Sequence, residues 1–135
     1  MKTPKEIFDL MYNNDPFSKL LGMQLIEIGE GFCKLNMVLT KDMLNGFSIA
    51  HGGITYSLAD SALAFASNSR GIQSVSIETS INHLSKVVEG DTLTAITEEK
   101  NLTGRTGLYI INITNQNNQA VALFKGIVFR TGKEC

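Results

Sequence analysis

Alternating hydrophobic and polar positions predict a β-strand in the first third of the chain. A period of two places every second side chain on one face of a strand, and that face can cover a core. A second strand is predicted just before it, within residues 20–30, and Gly29 and Gly31 mark the turn between the two. The alternating apolar residues are Cys33, Leu35, Met37 and Leu39.

Two segments carry helical signals. Thr3, Pro4 and Glu6 form a capping box with proline at the first helical position, and residues 13–16 end this short helix. A longer helix is predicted from about residue 53 to residue 69, with Gly71 as its stop. Its apolar stripe contains Ile54, Leu58, Ala62, Phe65 and Ala66. Its opposite side is small and mildly polar, which is typical of a surface in close contact with another protein, and contains Tyr56, Ser57, Asp60, Ser61, Ala64, Ser67 and Asn68.

Strand-like segments fill the rest of the chain. They cover residues 75–82, 92–97, 108–113 and 120–129, and the short connections favour antiparallel neighbours. A long helix with a wide apolar surface needs a sheet to cover it. We therefore predict a single α+β domain over residues 1–135, in which residues 1–16 form an N-terminal helical segment.

The composition of the chain argues against several classes of function. The 135 residues carry 12 Lys and Arg against 13 Asp and Glu, a net charge of −1, so nucleic-acid binding is not expected. No apolar run has membrane-spanning length, and no secretory signal is visible, so we expect a cytoplasmic protein that does not bind membranes. Two cysteines and two histidines without ligand spacing predict neither a disulfide framework nor a metal site.

The chemistry-bearing residues lie around the start of the long helix. Asn45, His51, Gly52 and Gly53 come just before it, and Asp60 lies within it. Backbone N–H groups at a helix start are free to bind an oxyanion. A carboxylate in a segment with no other charge from residue 54 to residue 69 is costly unless it has a role. Together these features indicate acyl chemistry.

Each residue also has a plainer interpretation. Asp60 can be a solvated or structural aspartate, and His51 can be a hydrogen-bonding residue at the helix start. Asn45 can belong to an ordinary turn, and Gly52 and Gly53 can supply unusual backbone angles. Each plain interpretation is favoured when a residue is taken alone. The order and spacing of the whole set favour the functional one.

Helix geometry separates the two halves of this set. Asp60 follows Gly52 by eight residues, and a rise of about 1.5 Å per residue places them roughly 12 Å apart along the axis. One thioester carbonyl cannot contact both groups in the same chain. If both act on one substrate, they come from two subunits, and each dimer then has two sites across its two-fold interface.

The chain resembles hotdog-fold acyl-CoA thioesterases of the phenylacetic-acid-degradation branch. The resemblance covers residues 17–130 and is strongest over residues 45–71, which include the His-Gly-Gly and Ser-Leu-Ala-Asp sequences. Later matches are at residues 90–93, 106–107 and 121–126. It implies a long central helix wrapped by a curved antiparallel sheet, and homodimers that pair as dimers of dimers.

The resemblance also implies residue roles. The Gly52 N–H would polarise the thioester carbonyl, Asn45 and His51 would position that group or its leaving sulfur, and Asp60 of the partner subunit would be nucleophile or general base. Ser76 would orient the water. Contacts with coenzyme A would come from Gly53, Val75, Ile77 and the turn at Gly104, Arg105 and Thr106. Coenzyme A is part of the substrate, and no further cofactor or metal is implied.

Two other functions remain open at this stage. A non-catalytic acyl-CoA-binding or regulatory hotdog module would need the substrate tunnel but not Asp60. A hotdog dehydratase would need a catalytic histidine with a downstream acid at a different spacing, whereas His51 precedes Asp60 by nine positions. One departure from the family is the sequence from His83 to Val87, where relatives often have proline.

Overall fold

The computed structural model describes residues 1–135, which form three α-helices and six strands. The helices are α1 (Pro4–Asn13), α2 (Pro16–Leu20) and α3 (Gly52–Asn68), with a 3-10 turn at Lys41–Met43. The strands are β1 (Gln24–Gly29), β2 (Phe32–Val38), β3 (Ile72–His83), β4 (Thr92–Leu102), β5 (Thr106–Thr114) and β6 (Ala120–Glu134).

All six strands form one antiparallel sheet, in the order β1-β2-β4-β5-β6-β3. The prediction that the last four strands are sequential neighbours is wrong for β3. This strand pairs with β6, and β4 pairs with β2 and β5. Residues 84–91 connect β3, at one edge of the sheet, with β4 beside β2. The Leu39 N–H donates to the Asp91 carbonyl at 2.8 Å, which holds the start of β4 next to the end of β2. Loop length alone did not specify this crossing.

The helix α3 packs on the concave interior of this sheet. Its core-facing side chains are at most 1% exposed: Leu58, Ala59, Ala62, Leu63, Phe65 and Ala66. The alternating face of β2 is also buried as predicted, since Cys33, Leu35, Met37 and Leu39 are at most 1% exposed. Sequence periodicity therefore identified both main contributors to the core. The predicted stripe on α3 was too narrow, because Ala59 and Leu63 are buried as well, and so are Ser67 and Asn68 of the side expected to face outward.

The N-terminal helical segment extends beyond residue 16. Asp15 caps a further helix, α2, by accepting a hydrogen bond from the Ser18 N–H at 2.9 Å, and Leu20 belongs to this helix rather than to a strand. The prediction of a strand over residues 20–30 is therefore too long at its start. The helix α1 packs on α3 through Phe8, whose ring meets Phe65 edge-on at 4.7 Å between centroids.

Tyr56 also differs from expectation. It was placed with the mildly polar side of α3, but its ring meets Phe124 of β6 edge-on, with 5.3 Å between centroids. Its hydroxyl lies 2.6 Å from that of Thr79 on β3. Tyr56 thus holds the first half of α3 against the sheet.

Polar contacts hold the C-terminal end of α3. Asn68 exchanges two hydrogen bonds with the backbone of Ser74, at 2.9 and 3.0 Å, and so sets β3 beside the helix. Arg70 forms a bidentate pair with Glu99 at 2.7 and 3.0 Å, and Tyr109 donates to the same carboxylate at 2.8 Å. Burial alone would raise the pKa of Glu99, but these hydrogen bonds lower it below its ordinary value. The predicted stop, Gly71, has φ +95°.

We expect Leu35→Ala to lower the free energy of unfolding by about 2–5 kcal/mol, because it leaves a cavity in the core between β2 and α3. Leu20→Ala is the matched control, since Leu20 is 78% exposed. It should change stability by less than about 0.5 kcal/mol. Urea unfolding at equal protein concentration measures both. Equal effects of the two substitutions would contradict the core described here.

Candidate functional site

The start of α3 is capped by His51. Its Nδ1 accepts a hydrogen bond from the Gly53 N–H at 3.0 Å, and its carbonyl accepts one from the Ile54 N–H at 2.9 Å. The Gly52 N–H has no acceptor within the helix and takes part in no turn, loop or cap hydrogen bond. The plainer interpretation of His51 as a helix-start residue is therefore correct, and it leaves one N–H free at the positive end of the helix dipole.

Gly52 and Gly53 are needed for space rather than for backbone angles. Neither has a positive φ. A Cβ at Gly52 would lie 3.2 Å from Nε2 of His83, and one at Gly53 would lie 3.1 Å from Nδ1 of His51. The expectation of unusual dihedrals is thus wrong, and the glycines allow side chains to approach the helix start closely.

Asn45 lies in the loop before α3. Its Oδ1 accepts a hydrogen bond from the Phe47 N–H at 2.8 Å, and its own N–H donates to the Ile49 carbonyl at 2.7 Å. The side-chain nitrogen makes no hydrogen bond within the chain, so it remains free to donate to a ligand. Asn45 therefore stabilises the turn through its Oδ1 and keeps a side-chain N–H donor that has no partner in the chain.

Asp60 is half-buried and has no partner. Its carboxylate makes no hydrogen bond and no ion pair within the chain. Burial raises the pKa of Asp60 above its ordinary value, because the charged form loses solvation. A carboxylate that is desolvated and unpaired in the chain is suited to act on something outside the chain.

A cavity of about 270 Å³ lies beside Asp60, between α3, α1 and β3. Ser67, Asn68 and Ser74 also line it, but their side chains are hydrogen-bonded to the protein backbone. The Ser76 hydroxyl on β3 makes no hydrogen bond within the chain. The free polar side chains of this cavity are thus the carboxylate of Asp60 and the hydroxyl of Ser76.

The structure does not bring Gly52 and Asp60 into one cavity of the chain. Gly52 lines a cavity of about 350 Å³ with Thr55 and His83. His51 and Gly53 line another of about 360 Å³, together with Phe17 and Ser57 of the helical elements. This separation agrees with the distance inferred from the helical rise.

The residues assigned to coenzyme A lie at the surface. Val75 and Ile77, on the edge strand β3, are 56% and 60% exposed. Val75 lines the Asp60 cavity, but Ile77 lines none. Arg105 is exposed in the turn between β4 and β5, where its carbonyl accepts a hydrogen bond from the Arg130 N–H at 2.7 Å. The single chain therefore does not bring Ile77, Arg105 or Asn45 to a cavity.

His83 lies beside the candidate site and was not predicted from the sequence as part of it. It ends β3 and lies against Gly52. The available signal was that it is one of only two histidines in the chain. Its place beside the helix start depends on the pairing of β3 with β6, which the sequence did not reveal.

Comparison with known families now bears on this arrangement. Residues 47–122 match the model of the Thioesterase superfamily, and the match includes the start of α3, Asp60 and Ser76. The chain belongs to this superfamily. Because the chain belongs to this superfamily and is 43% identical to a protein named acyl-coenzyme A thioesterase, the prediction of a thioester-hydrolysing enzyme is confirmed.

Individual relatives support the same assignment. The Acyl-coenzyme A thioesterase PaaI of Escherichia coli is 43% identical over 122 residues, which cover 90% of this chain and 87% of that protein. The structure of the E. coli PaaI protein from the phenylacetic acid degradation operon superposes with a TM-score of 0.95 at 40% identity, covering 97% of this chain and 95% of that chain. These matches confirm the predicted hotdog fold and its thioesterase branch.

A more distant structure contains a ligand. A Streptococcus mutans protein bound to acetyl CoA superposes with a TM-score of 0.81 at 28% identity, covering 84% of this chain and 91% of that chain. In the present chain, no helix is long and apolar enough to cross a membrane. No group of three or more His, Cys, Asp and Glu side chains is placed to hold a metal ion.

We expect Asp60→Asn to raise the thermal midpoint of unfolding at about pH 7, because it removes a desolvated, unpaired charge. The pKa of Asp60 is raised in the folded protein, so the folded state binds the proton more tightly than the unfolded chain. The free energy of unfolding therefore falls as pH rises from the pKa of Asp60 in the unfolded chain through its higher pKa in the folded protein. The advantage of the variant should shrink as pH falls to about 3, where both states are protonated.

Asp42→Asn is the control for this measurement, since Asp42 is exposed and makes no ion pair. It should leave the midpoint nearly unchanged at both pH values. A midpoint for Asp60→Asn that is lower than that of the wild type at neutral pH would show that the carboxylate is stabilising and would contradict this account.

Proposed function

We propose that the protein is an acyl-CoA thioesterase that hydrolyses an aromatic, phenylacetyl-type or medium-chain acyl-CoA to the free acid and coenzyme A. The observation that carries this proposal is the carboxylate of Asp60, which is half-buried, unpaired and next to the unused hydroxyl of Ser76. The similarity to the E. coli acyl-CoA thioesterase and to a protein bound to acetyl CoA supports the substrate class.

The reaction begins at Asp60 and Ser76. Ser76 can hold a water molecule by a hydrogen bond while Asp60 accepts its proton, so that the water oxygen bonds to the thioester carbon. The C–S bond then breaks, and the coenzyme A thiolate takes up a proton. Alternatively, the Asp60 carboxylate attacks the carbon itself, the C–S bond breaks, and the coenzyme A thiolate leaves and takes up a proton. Water then hydrolyses the resulting anhydride to the free acid and the Asp60 carboxylate. The raised pKa of Asp60 suits the first route, because it makes the carboxylate a stronger base.

The carbonyl oxygen gains negative charge in either route. The free Gly52 N–H at the start of α3 donates to this oxygen, and such a preorganised donor contributes roughly 2.7–4 kcal/mol to transition-state stabilisation. Since Nδ1 of His51 accepts from Gly53, a neutral His51 carries its proton on Nε2. That proton and the free amide of Asn45 orient the thioester group or its leaving sulfur.

Two subunits complete each site. Gly52 and Asp60 line separate cavities and lie roughly 12 Å apart along α3, so one thioester reaches Gly52 of one chain and Asp60 of another. The edge strand β3 has an unpaired backbone and exposes Val75 and Ile77, which makes it a suitable surface for a second copy. The proposed assembly is a homodimer with two sites, which pairs into a dimer of dimers.

The remaining contacts are with coenzyme A. Gly53, Val75 and Ile77 lie on the exposed elements beside the two half-sites, and Arg105 offers a guanidinium for a phosphate or the nucleotide. No metal or redox cofactor takes part in the proposed reaction, because water, one carboxylate and hydrogen-bond donors are sufficient for it.

We expect the wild-type protein to release coenzyme A from at least one class in a panel of aromatic, short and long acyl-CoAs, measured with a thiol-reactive dye. Asp60→Asn should reduce kcat by at least about 10³-fold, because it removes the base or nucleophile. Glu27→Gln, which removes an exposed, unpaired carboxylate that lines no cavity, should retain full turnover. If both the wild type and Asp60→Asn bind acyl-CoA saturably but release no coenzyme A, the protein is a ligand-binding module and not an enzyme.

We expect Gly52→Pro to lose most activity, because proline fits the first position of a helix but lacks the N–H. Gly52→Ala is the matched control, since it makes the same Cβ contact with His83 and keeps the N–H. It should be clearly more active than the proline variant. Mixing inactive Asp60→Asn and Gly52→Pro protomers should restore activity, and verified mixed dimers without activity would show that the site is not shared.

A further inference from the structure

His83 is held in place by the fold but its side chain has no function in it. Its backbone pairs with Ala122 of β6. The next residue, Leu84, donates its N–H to the Val121 carbonyl at 2.9 Å. The exposed imidazole makes no hydrogen bond or ion pair within the chain, so both ring nitrogens are free. The strand therefore positions a polar group that packing does not require.

The imidazole points at the start of α3. Its Nε2 lies 3.2 Å from the place where a Cβ of Gly52 would be, and its Cε1 lies 3.5 Å from that place. A hydrogen bond from the Ala50 N–H to the Val87 carbonyl, at 2.7 Å, closes the loop after β3 against the same region. His83, Gly52 and Thr55 together line the cavity of about 350 Å³. A ligand atom bound by the Gly52 N–H in this cavity is thus close to Nε2 of His83.

The strand β3 contributes one free polar side chain to each half of the site. Ser76 lies in the cavity of Asp60, and His83 lies in the cavity of Gly52. The seven intervening steps span roughly 23 Å of strand, so the two side chains do not serve the same half-site. His83 lies against Gly52 at the start of α3, and Asp60 lies roughly 12 Å further along the helix, so His83 does not share the proton of that carboxylate.

We propose that His83 is a second hydrogen-bond donor to the thioester oxygen, acting beside the Gly52 N–H; this inference rests on the thioesterase function proposed above. With the proton on Nε2, the imidazole donates to the oxygen as the carbon–oxygen double bond opens and charge develops. It keeps its proton throughout. When the C–S bond breaks and the double bond re-forms, the hydrogen bond weakens again. The contribution of His83 is therefore to kcat, because the hydrogen bond is strongest in the transition state.

The test compares His83→Gln with His83→Met. Both side chains are unbranched and similar in length, but only glutamine places an N–H donor near the position of Nε2. We expect His83→Gln to retain kcat within about 3-fold, and His83→Met to lower kcat by about 10- to 100-fold with KM changed by less than about 3-fold. His83→Ala, which only removes exposed atoms and has no donor, replaces His83→Met if the thermal midpoint of His83→Met shows that it does not fold.

Three outcomes overturn the proposal. Full kcat in His83→Met shows that no donor is needed, and an equal loss of kcat in both variants shows that the amide does not replace the imidazole. An increase in KM with unchanged kcat in the variants shows that His83 contacts another part of the substrate. Failure of the proposed function is distinct from these, because it would appear as no acyl-CoA hydrolysis by the wild type or as full activity in Asp60→Asn.

Discussion

The structure depends on covering one long helix with one sheet. The core-facing side of α3 carries three large apolar side chains, Leu58, Leu63 and Phe65, among alanines, and all of these residues are at most 1% exposed. Full burial of each leucine or phenylalanine contributes roughly 1.5–3 kcal/mol, and the alanines let the strands come close to the helix backbone. Because the helix must be covered along its whole length, the sheet has to curve around it, and the ends of the strands then lie beside the ends of the helix.

This packing places candidate site residues at two positions along β3, near its middle at Ser76 and at its end at His83. Asn68 fixes the beginning of the strand to the end of the helix, and Tyr56 fixes its middle through Thr79. Ser76 consequently lies beside Asp60, while His83 lies beside Gly52. The helix α3 keeps Gly52 and Asp60, and therefore the two cavities that they line, at a fixed separation. The same rigidity that stabilises the fold therefore makes a single chain insufficient for the proposed reaction.

Two carboxylates near α3, those of Glu99 and Asp60, differ in whether the chain provides partners for their charge. At the end of α3, Glu99 receives hydrogen bonds from Arg70 and Tyr109, and its charge is satisfied within the chain. Asp60 is partly desolvated without any such partner, and its pKa is raised for that reason. A charge left unpaired inside a fold that otherwise satisfies its buried polar groups is the physical basis for the functional assignment.

The sequence by itself determined the helix α3, the buried face of β2, the four later strands and the candidate residues around Gly52 and Asp60, because these depend on local periodicity, caps and spacing. It also gave the separation of Gly52 and Asp60, since the helical rise is the same in every protein. It did not give the helix α2, whose cap at Asp15 lies in a segment that also fitted a turn. Only the tertiary structure decided that β3 pairs with β6, that Tyr56 faces the sheet and that His83 meets Gly52. Those contacts join residues far apart in the chain, and their energies come from the packing of the whole sheet around the helix, which no local pattern encodes.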